Sequence, residues 1–123
     1  FEPALVVPGA FTEHSGLLAV EQLLERRTRC SAIFAANDQM AIGAALGLHR
    51  QGRRVPDDVS LVGFDDVAGA LYMVPPLTTV HHPIQELGEL AARAMLSLLA
   101  GEKPEVEVPA PRLIVRESTR AAG

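Results

Sequence analysis

Two short apolar runs, Ser31–Ala36 and Val59–Phe64, restrict this chain more than any other feature. Neither alternates between polar and apolar residues. Strands of that kind are buried on both faces, as in a parallel sheet covered by helices. Between the runs, Gln39 to Gln51 carries apolar residues at helical spacing, and Gly52 stands where a helix-ending glycine belongs. Strand, helix and strand in that order form the crossover unit of a parallel α/β sheet.

The alternation extends in both directions. Leu5–Val7 reads as a short strand closed by Pro8-Gly9. Thr12 follows as the N-cap of a helix running to about Arg27, with Leu17, Val20, Leu23 and Leu24 on one face. After the second apolar run, Asp65-Asp66 open an irregular stretch that contains Pro75-Pro76, and Thr78–Val80 reads as a short strand. Pro83 suits the first turn of a helix. Ile84, Leu87, Ala91, Ala94, Met95 and Leu98 form its single apolar stripe, which Gly101 ends. Val106–Val108 and Leu113–Val115 read as edge strands, broken by Pro109 and Pro111. The expected fold class is α/β, an open parallel sheet flanked by helices. Only three core strands are legible, so the chain reads as one lobe of something larger.

The 123 residues suffice for one domain or part of one, and 48% hydrophobic with 21% charged residues is ordinary for a soluble α/β protein. No run of eighteen apolar residues exists, so no membrane span is expected, and no signal peptide is read. The net charge of −4 argues against a surface that grips a phosphate backbone by itself. Arg26, Arg27 and Arg29, like Arg50, Arg53 and Arg54, sit where helices end and complement the helix dipole. Cys30 is the one cysteine. It excludes an internal disulfide, fits a reducing compartment and reads as a structural thiol.

Ligands of open α/β sheets bind beyond the carboxyl ends of the parallel strands. Three signals fall at such ends: Ala10-Phe11-Thr12, Asn37-Asp38 and Asp65-Asp66. Asn37 offers donors and an acceptor, ionised Asp65 only acceptors, and Phe11 a flat apolar face. Together they suit a ligand rich in hydroxyls or ring nitrogens. The plainer alternative makes Asp38 and Thr12 helix caps and Asp65-Asp66 an Asx-turn; it is preferred for Asp38 and Thr12, the ligand role for Asp65. His81-His82 are poorly placed to share one metal ion, and His82 is expected to cap the next helix or reach the ligand cleft. No metal site, cofactor or catalytic residue is expected. A small α/β hydrolase or phosphatase built on Asp65-Asp66 is the enzyme alternative, and it lacks a positioned nucleophile or base.

Four segments occur in fixed order: "AIFAANDQMAIGA" from Ala32, "RVPDDVSLVGFDD" from Arg54, "PPLTTV" from Pro75 and "RLIVREST" from Arg112. Together they resemble the C-terminal part of the effector-binding domain of LacI-family transcription regulators, over about Val6 to Thr119. The resemblance implies a periplasmic-binding-protein-like fold of two α/β lobes with a small effector, a sugar or a purine-like molecule, between them. Residues 1–123 would form mostly the C-terminal lobe. Most of the N-terminal lobe, and a helix-turn-helix domain through which a cytoplasmic homodimer binds operator DNA, would lie outside the chain. Position by position, Phe11 matches the aromatic that stacks on the effector, Asn37 and Asp65 the two polar contacts, and His82 a position near the cleft. Ala10 stands where the family often has an acidic residue. The family's dimer contacts map to Met40, Ile42, Ala45 and Leu46, with Leu71, Tyr72 and Val74. A periplasmic sugar-binding protein that feeds a transporter shares the fold and is the alternative among binding proteins.

Overall fold

The computed structural model describes residues 2–26 and 30–121. Its sheet has four strands, β1 (Ala32–Phe34), β2 (Ser60–Asp65), β3 (Thr78–His81) and β4 (Arg112–Ile114), in the order β1-β2-β3-β4. The first three are parallel, with Ile33 opposite Leu61 and Gly63 opposite Thr79. The fourth returns antiparallel, pairing Val80 with Leu113. The sheet is therefore mixed and open, parallel in its core as the two apolar runs require.

The predicted strand at Leu5–Val7 does not form. Pro3–Leu5 makes one turn of 3₁₀ helix instead, and β1 is left as an edge. An apolar cavity of about 640 Å³ separates this segment from β1, with Leu5, Val6 and Val7 on one wall and Ile33 and Phe34 on the other. With no strand on its outer side among the described residues, β1 is not buried on both faces, and Phe34 is 65% exposed.

Helix α1 (Glu13–Glu25) starts on a capping box. Thr12 Oγ1 accepts from the Ser15 amide, and Ser15 Oγ accepts from the Thr12 amide. The end expected at Arg27 lies outside the described residues. Helix α2 (Asp38–Arg50) ends in a Schellman turn: Gly52, at φ 67°, donates to His49, and Arg53 donates to Leu48. The two helices pack almost backbone to backbone. A Cβ at Gly16 would run into the Met40 carbonyl, and one at Gly43 into the Glu13 carbonyl. Val20, Ala41, Ala44, Leu48, Leu61 and Leu77 fill the core between these helices and the sheet.

Two further helices differ from that pair. The stretch after β2 contains a single turn, α3 (Ala68–Leu71), that the sequence pattern does not announce. Helix α4 (Ile84–Leu99) forms as predicted, with Pro83 at its N-cap and Gly101, at φ 77°, just past its end. Its apolar stripe buries no residue, leaving Ile84, Met95 and Leu98 exposed.

The loop before β2 is closed by Asp58, whose carboxylate accepts from the Arg54 amide and guanidinium at 2.8–3.1 Å. Those bonds lower the Asp58 carboxyl pKa to about 2. Its contribution to stability is therefore present above the ordinary aspartate range and is lost as pH falls toward 2. Carboxyl-carbon NMR titration of Arg54→Ala should move Asp58 up toward the ordinary range but leave it below, because the backbone amide of residue 54 still donates to the carboxylate. Gly43→Ala should cost about 2–3 kcal/mol by denaturant unfolding, since the new methyl meets backbone rather than a side chain that can turn away. Gly88→Ala, which enters open space in α4, should instead be neutral or stabilise by up to about 1 kcal/mol through helix propensity.

Candidate effector site at the strand ends

Among the described residues, three non-glycine residues have positive φ: Phe11 at 57°, Asp65 at 108° and Asp66 at 55°. All three belong to segments singled out by the strand-end pattern. Backbone of this kind is costly for a residue with a Cβ and gathers where a site demands a particular presentation. The Phe11 side chain is 67% exposed.

Asn37, not Asp38, caps α2. The Asn37 Oδ1 accepts from the Met40 amide at 2.9 Å. Its Nδ2 donates to the Phe11 carbonyl at 3.1 Å and to Gln39 Oε1 at 2.9 Å. Asn37 thus ties the Phe11 turn to the helix, and both of its amide hydrogens are engaged. The cap expected at Asp38 falls one residue early because the two side chains divide the work differently. Asp38 lies inside the first turn, fully buried. Its Oδ1 accepts from Thr79 Oγ1 at 2.6 Å and its Oδ2 from the Val67 amide at 2.8 Å. Burial raises the Asp38 pKa, the two hydrogen bonds oppose that rise, and nearby Asp65 and Asp66 add to it.

Asp65 and His82 line a second cavity, of about 800 Å³, together with Asp66, Val67, His81 and the start of α4. His82 sets its ring edge-on to Phe64, with centroids 5.6 Å apart. His81 Nδ1 lies 3.0 Å from Asp66 Oδ2, and Arg116 Nη2 lies 2.6 Å from Asp66 Oδ1. Burial works to raise the Asp66 pKa, but the Arg116 and His81 hydrogen bonds and charges outweigh it and hold the group below its ordinary value. Asp66 is therefore an ionised acceptor, and His81 Nδ1 carries the hydrogen between them.

The predicted site residues thus fall into two pairs, Phe11 with Asn37 and Asp65 with His82. Asp38 joins the pairs, reaching from the start of α2 to the turn after β2. Sequence reasoning did not find Thr79, Asp66 and Arg116 as a cluster. Fifty positions separate Asp66 from Arg116, and no local pattern links them. Of the expected dimer contacts, Met40 is only 8% exposed and belongs to the core. Gly9 and Gly16 let its helix approach too closely to leave a surface there. Ile42 and Ala45 are half-buried, whereas Leu46, Leu71, Tyr72 and Val74 are exposed.

Residues 2–119 match the family described as periplasmic binding protein-like domain. The chain belongs to that family. The HTH-type transcriptional repressor PurR of Escherichia coli (strain UTI89 / UPEC) is 42% identical over 116 residues, 92% of this chain and 34% of the repressor. A transcriptional regulator CelR solved in complex with cellobiose is 39% identical with TM-score 0.89, over 96% of this chain and 37% of the other. A sugar-binding transcriptional regulator of the LacI family from Escherichia coli, solved with phosphate, is also 39% identical with TM-score 0.89, over 99% and 44%. The resemblance to part of the LacI-family effector-binding domain is borne out. The chain spans about a third of the length of the curated relatives it matches. These relatives of the periplasmic-binding-protein-like chain are transcriptional regulators.

Asp38→Ala should destabilise the fold by about 2 kcal/mol in urea unfolding, because the buried Thr79 hydroxyl and the half-buried Val67 amide lose their acceptor. Asp38→Asn, which keeps one carbonyl oxygen, should cost less.

Proposed function

We propose that the chain is the effector-sensing part of a LacI-type transcription regulator. A small polar ligand, a sugar or a purine-like molecule, binds against Phe11, Asn37, Asp65 and His82. The observation that carries this reading is the pairing of strained backbone with free chemistry. Phe11 and Asp65, both left-handed, present an exposed ring in the turn before α1 and a carboxylate at the end of β2. An aromatic face and an acceptor-only group suit a ring compound that carries hydroxyl or N–H donors.

Asn37 takes a changed part in this proposal. With both amide hydrogens engaged by Phe11 and Gln39, it sets the aromatic wall and contacts the ligand through what remains of its carbonyl oxygen. The apolar stripe of α4, unburied in this chain, is the face that a second lobe covers, with the effector in the cleft between. Leu46, Leu71, Tyr72 and Val74 replace Met40 as the core of a homodimer surface, flanked by Ile42 and Ala45. Operator DNA is held by a separate N-terminal domain of the cytoplasmic regulator, and the effector's preference for one of two lobe arrangements sets how far operator binding shifts.

The test is a thermal-shift and calorimetric screen of the full-length protein against sugars and nucleobases. Asp65→Ala should weaken the ligand found by about 2 kcal/mol and Phe11→Ala by about 1 kcal/mol, with melting temperatures kept. Wild-type affinity and wild-type operator response in both variants would rule the reading out. Asn37→Ala is less clean, since it also removes the α2 cap, at about 1 kcal/mol.

A further inference from the structure

Asp65 and Asp66 are neighbours of one residue type at one strand end, yet their carboxylates are in opposite situations. That of Asp66 is gripped by Arg116 on Oδ1 and by His81 on Oδ2. Arg116 is itself anchored, donating through Nη1 to the Leu77 carbonyl at 2.8 Å. The Asp65 carboxylate has no hydrogen-bond partner among the described residues, and its residue is exposed on the cavity wall. Both backbones are left-handed. Such a conformation persists only where the surroundings hold it.

The surroundings that do so are specific. Behind the turn, the Asp66 amide donates to Thr79 Oγ1 at 3.4 Å, and that hydroxyl donates onward to Asp38 Oδ1 at 2.6 Å. The next amide, of Val67, donates to the other oxygen of Asp38 at 2.8 Å. Gly63 admits this carboxylate to the sheet, since a Cβ there would collide with Asp38 Oδ1. In front of the turn, Arg116 and His81 fix the Asp66 side chain. The residue after Asp65 is thus held by backbone and by side chain at once.

We infer that Asp38 and Thr79, together with Arg116 acting through Asp66, are positioning residues that hold Asp65 in the backbone conformation presenting its free carboxylate to the effector. Only one aspartate of the pair is available to a ligand, and the other is its mount. This inference rests on the proposed reading of Asp65 as an effector contact.

Thr79 permits a sharp test. Thr79→Val keeps the shape and removes the hydroxyl from both hydrogen bonds, whereas Thr79→Ser keeps the hydroxyl. Crystal structures of the full-length wild type and both variants report φ at Asp65. Dissociation constants are measured for whichever of glucose, ribose, cellobiose, hypoxanthine and guanine the wild type binds. Thr79→Val should move Asp65 out of the left-handed region and weaken that probe about tenfold or more. Thr79→Ser should keep the backbone and hold affinity within about threefold of wild type. A left-handed Asp65 in Thr79→Val, or an equal loss in Thr79→Ser, overturns the inference. Should Thr79→Val fail to fold, Arg116→Gln supplies the same two measurements from the front of the turn, with the same outcomes deciding. If none of the five probes binds, the Asp65 backbone in the variants decides alone. Wild-type affinity in Asp65→Ala would remove the effector reading while the crystal structures still decide the positioning.

Discussion

A single buried carboxylate ties helix α2 to strand β3 and to the turn after β2. Asp38 lies at the start of α2, and its two oxygens reach β3 through Thr79 and the turn after β2 through Val67. Removing a charge from water is expensive, and the raised pKa of Asp38 shows that this cost is incompletely offset. A neutral apolar residue would avoid it. It would also leave the buried Thr79 hydroxyl and the half-buried Val67 amide, in the turn just after Asp65, without their acceptor. The carboxylate thus trades stability for a defined arrangement of three separate segments.

That arrangement explains which parts of the sequence were readable. Strands β1 and β2, helix α2 and helix α4 follow from apolar runs, helical spacing and closing glycines, all of them local signals. Leu5–Val7 carried the same signal and still made no strand, because a strand is defined by its neighbour and β1 leaves a cavity there rather than a partner. The strand-end rule drew attention to Phe11, Asn37 and Asp65 from sequence alone. It could not tell Asn37 from Asp38 as the cap, since a shift of one residue changes which side chain reaches the helix amides. The Asp66, His81 and Arg116 cluster was invisible, because its members come from the ends of three different strands. Met40 was a dimer contact by resemblance alone, and the close approach of Gly9 and of Gly16 in α1 covers it in this chain.

The two faces of the molecule are correspondingly unlike. On the α1 and α2 side, Gly16 and Gly43 allow the two helices to pack closely over an apolar core. Around the ends of β2 and β3, left-handed backbone at Asp65 and Asp66 and the paired charges of Asp66 and Arg116 gather within one small region. Stability and presentation are thus built from different residues, with Asp38 the main one common to both.

The arm formed by α4 joins the sheet at a narrow root. The chain leaves through β3 and returns through β4, and His81 pairs with Arg112 at the point of departure. A helix of sixteen residues is about 24 Å long, so a turn of roughly 10° at that root sweeps its far end through about 4 Å. Asp66 clasps His81 on the outgoing strand and Arg116 just past the incoming one, beside the carboxylate left free. In mechanical terms the clasp at the arm's root and the unpaired carboxylate of Asp65 are adjacent residues, and any small rotation there would be magnified at the arm's tip.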